Sequence, residues 1–232
     1  MTDTGIDVFY TGSVLAYTDK LNEYFALLDT EEQQIALRFK FAELKQRYII
    51  CHGILRELLA ARVGEPAAQL GIVKTAYGKP YLADFPQLSF NMSHTGDCLA
   101  IAISSQCNLG IDIECFKQRN TWSGLVNKCF AQQEVDYWYA LDATERGQVF
   151  YQFWVKKEAF VKAVGQGITL GLNQCVVNPA GLGTFLAVPE QCTPAEQWQI
   201  YTLDLPVNIF GAVVCDEARV LHFHALSRLA AG

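Results

Sequence analysis

Gly110-Ile111-Asp112-Ile113-Glu114 is the stretch on which the reading of this 232-residue chain turns. It follows the apolar run Cys98 to Ser104 after a short polar loop, and it reads as a β-strand. Side chains alternate across a strand, so Ile111 and Ile113 point to one side while Asp112 and Glu114 point together to the other. Two ionised carboxylates on one face raise each other's pKa, and a cation between them relieves the repulsion. Ligands that are all oxygen point to Mg²⁺ or Mn²⁺. Taken alone, the pentapeptide is better read as a half-buried edge strand with a solvated acidic face, and the rest of the chain has to decide.

Outward from it, the segment Asp142 to Gly165 carries the most information. Asp142-Ala143-Thr144-Glu145 predicts a helix-capping box and Gly165-Gln166-Gly167 a stop. The centre reads Trp154-Val155-Lys156-Lys157-Glu158-Ala159-Phe160-Val161-Lys162. Glu158 and Lys162 share a helix face in the order that favours an ion pair, the ordinary reading for a surface helix. Val149, Phe150, Phe153, Trp154, Ala159, Phe160, Ala163 and Val164, however, cover much of the circumference. A carboxylate and an ammonium on so apolar a helix need partners. A metal for Glu158 and a phosphate for Lys162 would serve both.

Upstream, Ile6 to Tyr10 predicts a first strand, and Leu21, Tyr24, Phe25 and Leu28 keep a helical spacing. Thr30 with Gln33 resembles a capping box for a short helix through Arg38, and a long helix is expected over Ala42–Val63, ended by Gly64. Its apolar stripe is Leu44, Ile50, Ile54, Leu58 and Leu59. Strands are expected at Ile72 to Ala76, Ser89 to Met92 and Cys98 to Ile103. Helical patterns then run from Trp122 to Val164, followed by β-like runs at Cys175 to Val177, Gln199 to Leu203, Ile209 to Cys215 and Val220 to Leu226. Strand, helices, strands thus occurs twice. Gly5-Ile6-Asp7-Val8-Phe9 also echoes Gly110 to Glu114, which predicts an α+β chain of two related halves, 1–108 and 109–232. Phe9 stands where Glu114 does, so only the second copy keeps both acids.

Two turns complete the set. Phe90-Asn91-Met92-Ser93-His94-Thr95-Gly96 places a hydroxyl, an imidazole and a glycine at a strand end, where exposed N–H groups can meet a phosphate. Lys74-Thr75-Ala76-Tyr77-Gly78-Lys79-Pro80 joins two cations to a constrained turn, and Arg38, Arg47 and Arg56 punctuate the first helices. Each is by default a solvated residue; as a set beside three carboxylates they suggest a ligand with several phosphates and a divalent cation. A Walker-type loop is not in the sequence.

Composition narrows the classes. A net charge of −6 speaks against broad nucleic-acid binding. No apolar run approaches the ~18 residues of a membrane span and Met1-Thr2-Asp3-Thr4 does not resemble a signal peptide, so the expectation is a cytoplasmic protein. The eight cysteines form no C-x-x-C pair and are expected as free, largely buried thiols. His222 and His224 share one face of the expected last strand, with no third ligand beside them.

Together these motifs resemble the 4'-phosphopantetheinyl transferases of the larger single-chain class. Gly110 to Glu114 and Trp154 to Lys162 carry the likeness at the family's separation. Tyr77 to Pro80, Phe90 to Gly96, and Arg38-Phe39 with Arg47 support it. The resemblance implies two similar α+β halves related by a pseudo-twofold, with the active site in the cleft between them, in a monomer. It implies coenzyme A as substrate and, as acceptor, a serine of an apo carrier protein of fatty-acid, polyketide or non-ribosomal peptide synthesis. By that likeness Asp112, Glu114 and Glu158 hold Mg²⁺, Lys162 neutralises the reacting phosphate, and Ser93 and His94 meet the phosphates. Arg47 and Lys79 contact the nucleotide end, with Gly78 and Pro80 shaping that wall and Lys74 a further candidate. Glu158 and Glu134 are the candidate bases. The chain departs from the family at Glu32 and Ile35, where some relatives have lysines, and at Val155. Phe116, Lys117, Trp122 and Phe130 are expected, from position, to form the carrier-docking patch. The competing readings are another Mg²⁺-dependent transferase or hydrolase of a nucleotide diphosphate, and a non-catalytic module binding coenzyme A or carriers.

Overall fold

The computed structural model describes residues 5–226 apart from 106, 119, 120 and 182. Strand β1 (Ile6–Thr11) leads through a 3-10 stretch, Val14–Lys20, into α1 (Leu21–Leu27), α2 (Thr30–Arg38) and α3 (Ala42–Val63). The cap of α2 lies one residue earlier than expected. The Asp29 carboxylate accepts from the Glu32 N–H (2.9 Å) and the Glu32 carboxylate from the Asp29 N–H (3.1 Å). Gln33 instead donates to the carbonyls of Phe25 and Leu28, joining α1 to α2. Helix α3 spans the expected residues and ends at Gly64, whose φ of 78° only glycine adopts freely. Its buried face is Ile49, Ile50, Cys51, Ile54, Leu55 and Leu59, while Leu44 is exposed.

Strands β2 (Ile72–Lys74) and β3 (Pro80–Leu82) form a small hairpin, and β4 (Leu88–Thr95), β5 (Cys98–Ser105) and β6 (Leu109–Cys115) follow. The single helical region expected from Trp122 onward is three helices, α4 (Ser123–Cys129), α5 (Gln132–Ala140) and α6 (Arg146–Val164). The capping box at Asp142 does not form. The Glu145 N–H bonds the Asp142 backbone carbonyl (3.0 Å), and α6 starts after it with no side-chain cap. Short strands β7 (Val176–Val177) and β8 (Phe185–Ala187), then β9 (Gln199–Thr202), β10 (Ile209–Cys215) and β11 (Leu221–Ala225) complete the mixed α+β fold.

One sheet has the order β11-β1-β5-β4 and another β6-β10-β9. All pairs are antiparallel except β1 with β11, which run parallel from Ile6 opposite Leu221. Asp7 helps fix that pairing, because its carboxylate meets His224 Nε2 (2.7 Å) and the Arg62 guanidinium. Apolar side chains gather in three places. One core lies between α1, α3, β4 and β5, a second around α4–α6 and β10, and a third between the two sheets. The third contains Ile6 and Val8 of β1, Ala100 and Ala102 of β5, and Ile111, Ile113 and Val213. The β6 face opposite the carboxylates is therefore the glue between sheets; β6 is an edge strand of its own sheet, but Asp112 on its other face is buried, so the acidic face is not a solvated one.

Helix α6 lies directly on β6. A Cβ on Gly110 would overlap the Ala159 carbonyl oxygen and the Ala163 nitrogen and sit 2.9 Å from the Lys162 carbonyl carbon. Glycine at that position lets helix and strand backbones touch. All eight cysteines are free; Cys51, Cys107, Cys175, Cys192 and Cys215 are buried and the other three half-buried.

Candidate active site

Asp112 and Glu114 leave β6 on the face away from the sheet–sheet core, beside α6. Asp112 is buried and Glu114 half-buried. One Asp112 oxygen, Oδ1, receives the Lys162 ammonium (2.7 Å) and the Ser93 hydroxyl (2.9 Å); the other, Oδ2, is buried without a hydrogen-bond partner. Lys162 donates also to the Ile111 carbonyl (3.1 Å). Glu114 accepts from the Thr95 hydroxyl (3.2 Å). Glu158, one helical turn before Lys162 on α6, lines a cavity of about 210 Å³ with Tyr77, Gly78, Lys79, Pro80 and Lys162.

The three carboxylates feel one another. Burial pushes Glu158 up, and Asp112 and Glu114 add to it. Burial raises Glu114, and Asp112 raises it further. Asp112 is raised by burial against the pull of Lys162. Among the described residues no three acidic, histidine or cysteine side chains are gathered closely enough to enclose an ion. The donor set nonetheless fits a hard divalent cation: it is all oxygen, it repels itself, and Asp112 Oδ2 is buried with nothing to bind.

The turn residues divide. His94 is exposed and lines a cavity of about 340 Å³ with Arg47, His52 and Lys117. Partial enclosure of the ring by the cavity wall lowers its pKa and Lys162 and Arg47 lower it further, which favours the neutral imidazole. Arg47 pairs with Asp97 (2.7 Å) on that wall. Gly78 turns with φ of 86°, and Pro80 begins β3. The Lys79 ammonium is turned inward onto the carbonyls of Leu109 (3.1 Å) and Ala163 (2.6 Å), tying the first-half turn to the end of α6. Burial pushes it down to about 8. With three donors on an ammonium, one remains for a ligand.

Other expected residues are occupied elsewhere. Lys74 is exposed and pairs with Glu31 (2.7 Å). Arg56, grouped above with phosphate-binding cations, is fully buried. It holds Asp29 and Glu32 (2.7 Å each) and the carbonyls of Ala67 and Leu70 (3.1 Å each), so no donor faces a cleft. Glu134 is fully buried. One of its oxygens accepts from Val177 N–H (2.8 Å), the other from Ala131 N–H (2.7 Å) and pairs with Lys157 (2.7 Å). A carboxylate so enclosed has no route to an incoming hydroxyl. Trp122 and Phe130 belong to the core around α6, with Phe116 packed on it, so of the expected docking patch Lys117 alone is exposed.

Ser93 and Thr95 have a different place from that expected of a phosphate-binding turn. Strand β4 continues through Thr95, so Asn91, Ser93 and Thr95 share a face, and all three are buried. Asn91 Oδ1 accepts from Ile111 N–H (2.9 Å), Ser93 Oγ from Ile113 N–H (3.2 Å) and Thr95 Oγ1 from Cys115 N–H (3.1 Å). These side chains close the β6 edge that β10 leaves open. The signal for them was period-two alternation, the same rule that paired Asp112 with Glu114, but it shows only if the strand is extended past Met92.

Residues 108–215 match the model described as the 4'-phosphopantetheinyl transferase superfamily, and residues 16–106 match that described as 4'-phosphopantetheinyl transferase, N-terminal. The chain belongs to the 4'-phosphopantetheinyl transferase family. It is similar, at 35% identity over 72% of its own length and 68% of the relative's, to slr0495 of Synechocystis sp., provisionally named as such a transferase. It is 31% identical to the 4'-phosphopantetheinyl transferase HetI of Nostoc sp. over 64% of each chain. It is 29% identical to the 4'-phosphopantetheinyl transferase Sfp of Bacillus subtilis over 66% of its own length and 67% of that protein's. The family acts on coenzyme A and carrier proteins. Among the described residues no helix is long and apolar enough to cross a membrane.

Proposed function

We propose that this protein transfers the 4'-phosphopantetheine group of coenzyme A to a serine hydroxyl of an apo carrier protein in the cytoplasm, acting as a monomer. The serine oxygen bonds to the β-phosphorus, the bridging P–O bond breaks, and adenosine 3',5'-bisphosphate leaves. The observation that carries this reading is the mutual repulsion of Asp112, Glu114 and Glu158 beside the Lys162 ammonium, which bonds Asp112 where β6 lies on α6.

Asp112, Glu114 and Glu158 would hold Mg²⁺, or Mn²⁺ in its place, which when bound neutralises charge on the diphosphate. The rest falls to the chain. Lys162 neutralises the phosphate nearest the reaction, where charge neutralisation and positioning supply most of the rate. Neutral His94 donates to a phosphate oxygen. Arg47, the third Lys79 donor and the wall at Gly78 and Pro80 take the nucleotide end. Glu158 accepts the serine proton. Residues 1–108 thus supply the nucleotide end and 109–232 the cation site and the chemistry.

Incubated with Mg²⁺ and coenzyme A, the protein should add one phosphopantetheine mass to an apo carrier, and Asp112→Ala should abolish the gain. Unchanged mass across a panel of peptidyl, acyl and polyketide carriers refutes the proposal.

A further inference from the structure

The seam between β4 and β6 does more than close a sheet edge. Ser93 and Thr95 each accept from a β6 backbone N–H and each donate to a β6 carboxylate, Ser93 to Asp112 and Thr95 to Glu114. A hydroxyl has one proton to give. Once a fixed backbone amide occupies its lone-pair side, the proton is aimed, and here it is aimed at a carboxylate. Asn91, one step earlier on the same face, accepts from Ile111 N–H in the same way.

We infer that Thr95 is a positioning residue for Glu114, so that the cation site on the second half is oriented by the first. The inference rests on the reading that Asp112 and Glu114 hold a divalent cation. The two carboxylates are not equally dependent on the seam. Asp112 has Lys162 as well as Ser93, whereas Thr95 is the one hydrogen-bond donor to the Glu114 carboxylate among the described residues. Thr95 is also 6% exposed, so water cannot readily replace its hydroxyl. Without that bond Glu114 is free to rotate, and fixing it must be done by the arriving ion. Partners of this kind, one bond removed from the metal, are commonly worth about 10–100-fold in affinity.

The test compares Thr95→Val, which keeps the shape and loses the hydroxyl, with Thr95→Ser, which keeps the hydroxyl and loses a methyl group. Mn²⁺ affinity is measured on the free protein by calorimetric titration, alongside the Mg²⁺ dependence of turnover and the melting temperature. Thr95→Val should weaken Mn²⁺ by about 10–100-fold and shift the Mg²⁺ requirement upward in parallel, with Thr95→Ser within about threefold of the parent. If Thr95→Val does not fold, Thr95→Ala against Thr95→Ser makes the same comparison. Lowered melting with unchanged Mn²⁺ affinity, or a Thr95→Ser variant as weak as Thr95→Val, overturns the inference. Glu114→Gln separates the two levels. If it leaves Mn²⁺ binding untouched, the cation reading itself fails; if it weakens binding while Thr95→Val does not, only the role of Thr95 falls.

Discussion

Gly110→Ala is the smallest change that tests how α6 and β6 make the site. The added methyl would overlap the Ala159 carbonyl oxygen and the Ala163 nitrogen and stand 2.9 Å from the Lys162 carbonyl carbon. These are backbone atoms inside a helix, so no rotamer change relieves them. Restoring a carbon–carbon distance of about 3.5 Å or more requires α6 to retreat by roughly an ångström. Overpacking of this kind costs ~1–3 kcal/mol, and a backbone-on-backbone clash belongs at or above the upper end. At ~2–4 °C per kcal/mol for a chain of this size, the melting temperature should fall by about 6–12 °C. The functional effect should exceed the stability effect. Glu158 and Lys162 ride on α6 while Asp112 and Glu114 ride on β6, and a displacement of about an ångström between reacting groups costs on the order of 100-fold in rate. Thermal unfolding and carrier modification, the latter assayed well below the melting range, measure the two effects separately. A variant that melts within about 2 °C of the parent refutes the packing argument. One that melts low but turns over at the parental rate refutes the claim that helix–strand contact sets the site.

Two further outcomes follow from lysines. Lys156 is 2% exposed, its ammonium meets no acidic partner among the described residues, and burial pushes it down to about 8. An unfolded lysine titrates near 10.4, so between pH 8 and about 10.4 the unfolded chain holds more protons and stability rises with pH; below pH 8 the penalty is complete. Lys156→Met should therefore be more stable than the parent by about 3 kcal/mol at pH 7, with the gap closing as pH rises through that window. Urea unfolding at pH 7, 8.5 and 10 checks this, and a gap that widens with pH contradicts it. Lys79→Ala should raise the coenzyme A KM about tenfold or more while slowing saturated turnover less, as the loss of a charged hydrogen bond predicts. A purely kcat effect would reduce Lys79 to a tie between the halves.

What the sequence made legible depended on whether the signal was local. Asp112 and Glu114 came from alternation, and α3 from its stripe and Gly64. These are properties of a few neighbouring residues. Glu134 and Arg56 misled because a charge in a helical stretch looks the same whether it faces solvent or a buried partner. Only the fold brings Lys157 to Glu134, and Asp29 and Glu32 to Arg56. Trp122 and Phe130 failed as a docking patch for the opposite reason: aromatic residues after a strand end carry no mark of whether a helix such as α6 covers them. Thr30 lost the α2 cap to Asp29 by one residue, a shift that local propensity cannot resolve when both residues are good caps.

Strand β11 sets an order on how the molecule can be made. It lies parallel to β1, and Leu226 accepts a hydrogen bond from Tyr17, 209 residues away in the chain. Strand β5 can pair with β1 early in synthesis, but the other edge of β1 has no partner until β11 leaves the ribosome. At ~5–20 residues per second that interval is on the order of ten seconds. An unpaired edge is a template for any extended strand nearby. Nascent copies on one messenger would present the same open edge side by side, and the arrival of β11 is what ends this exposure.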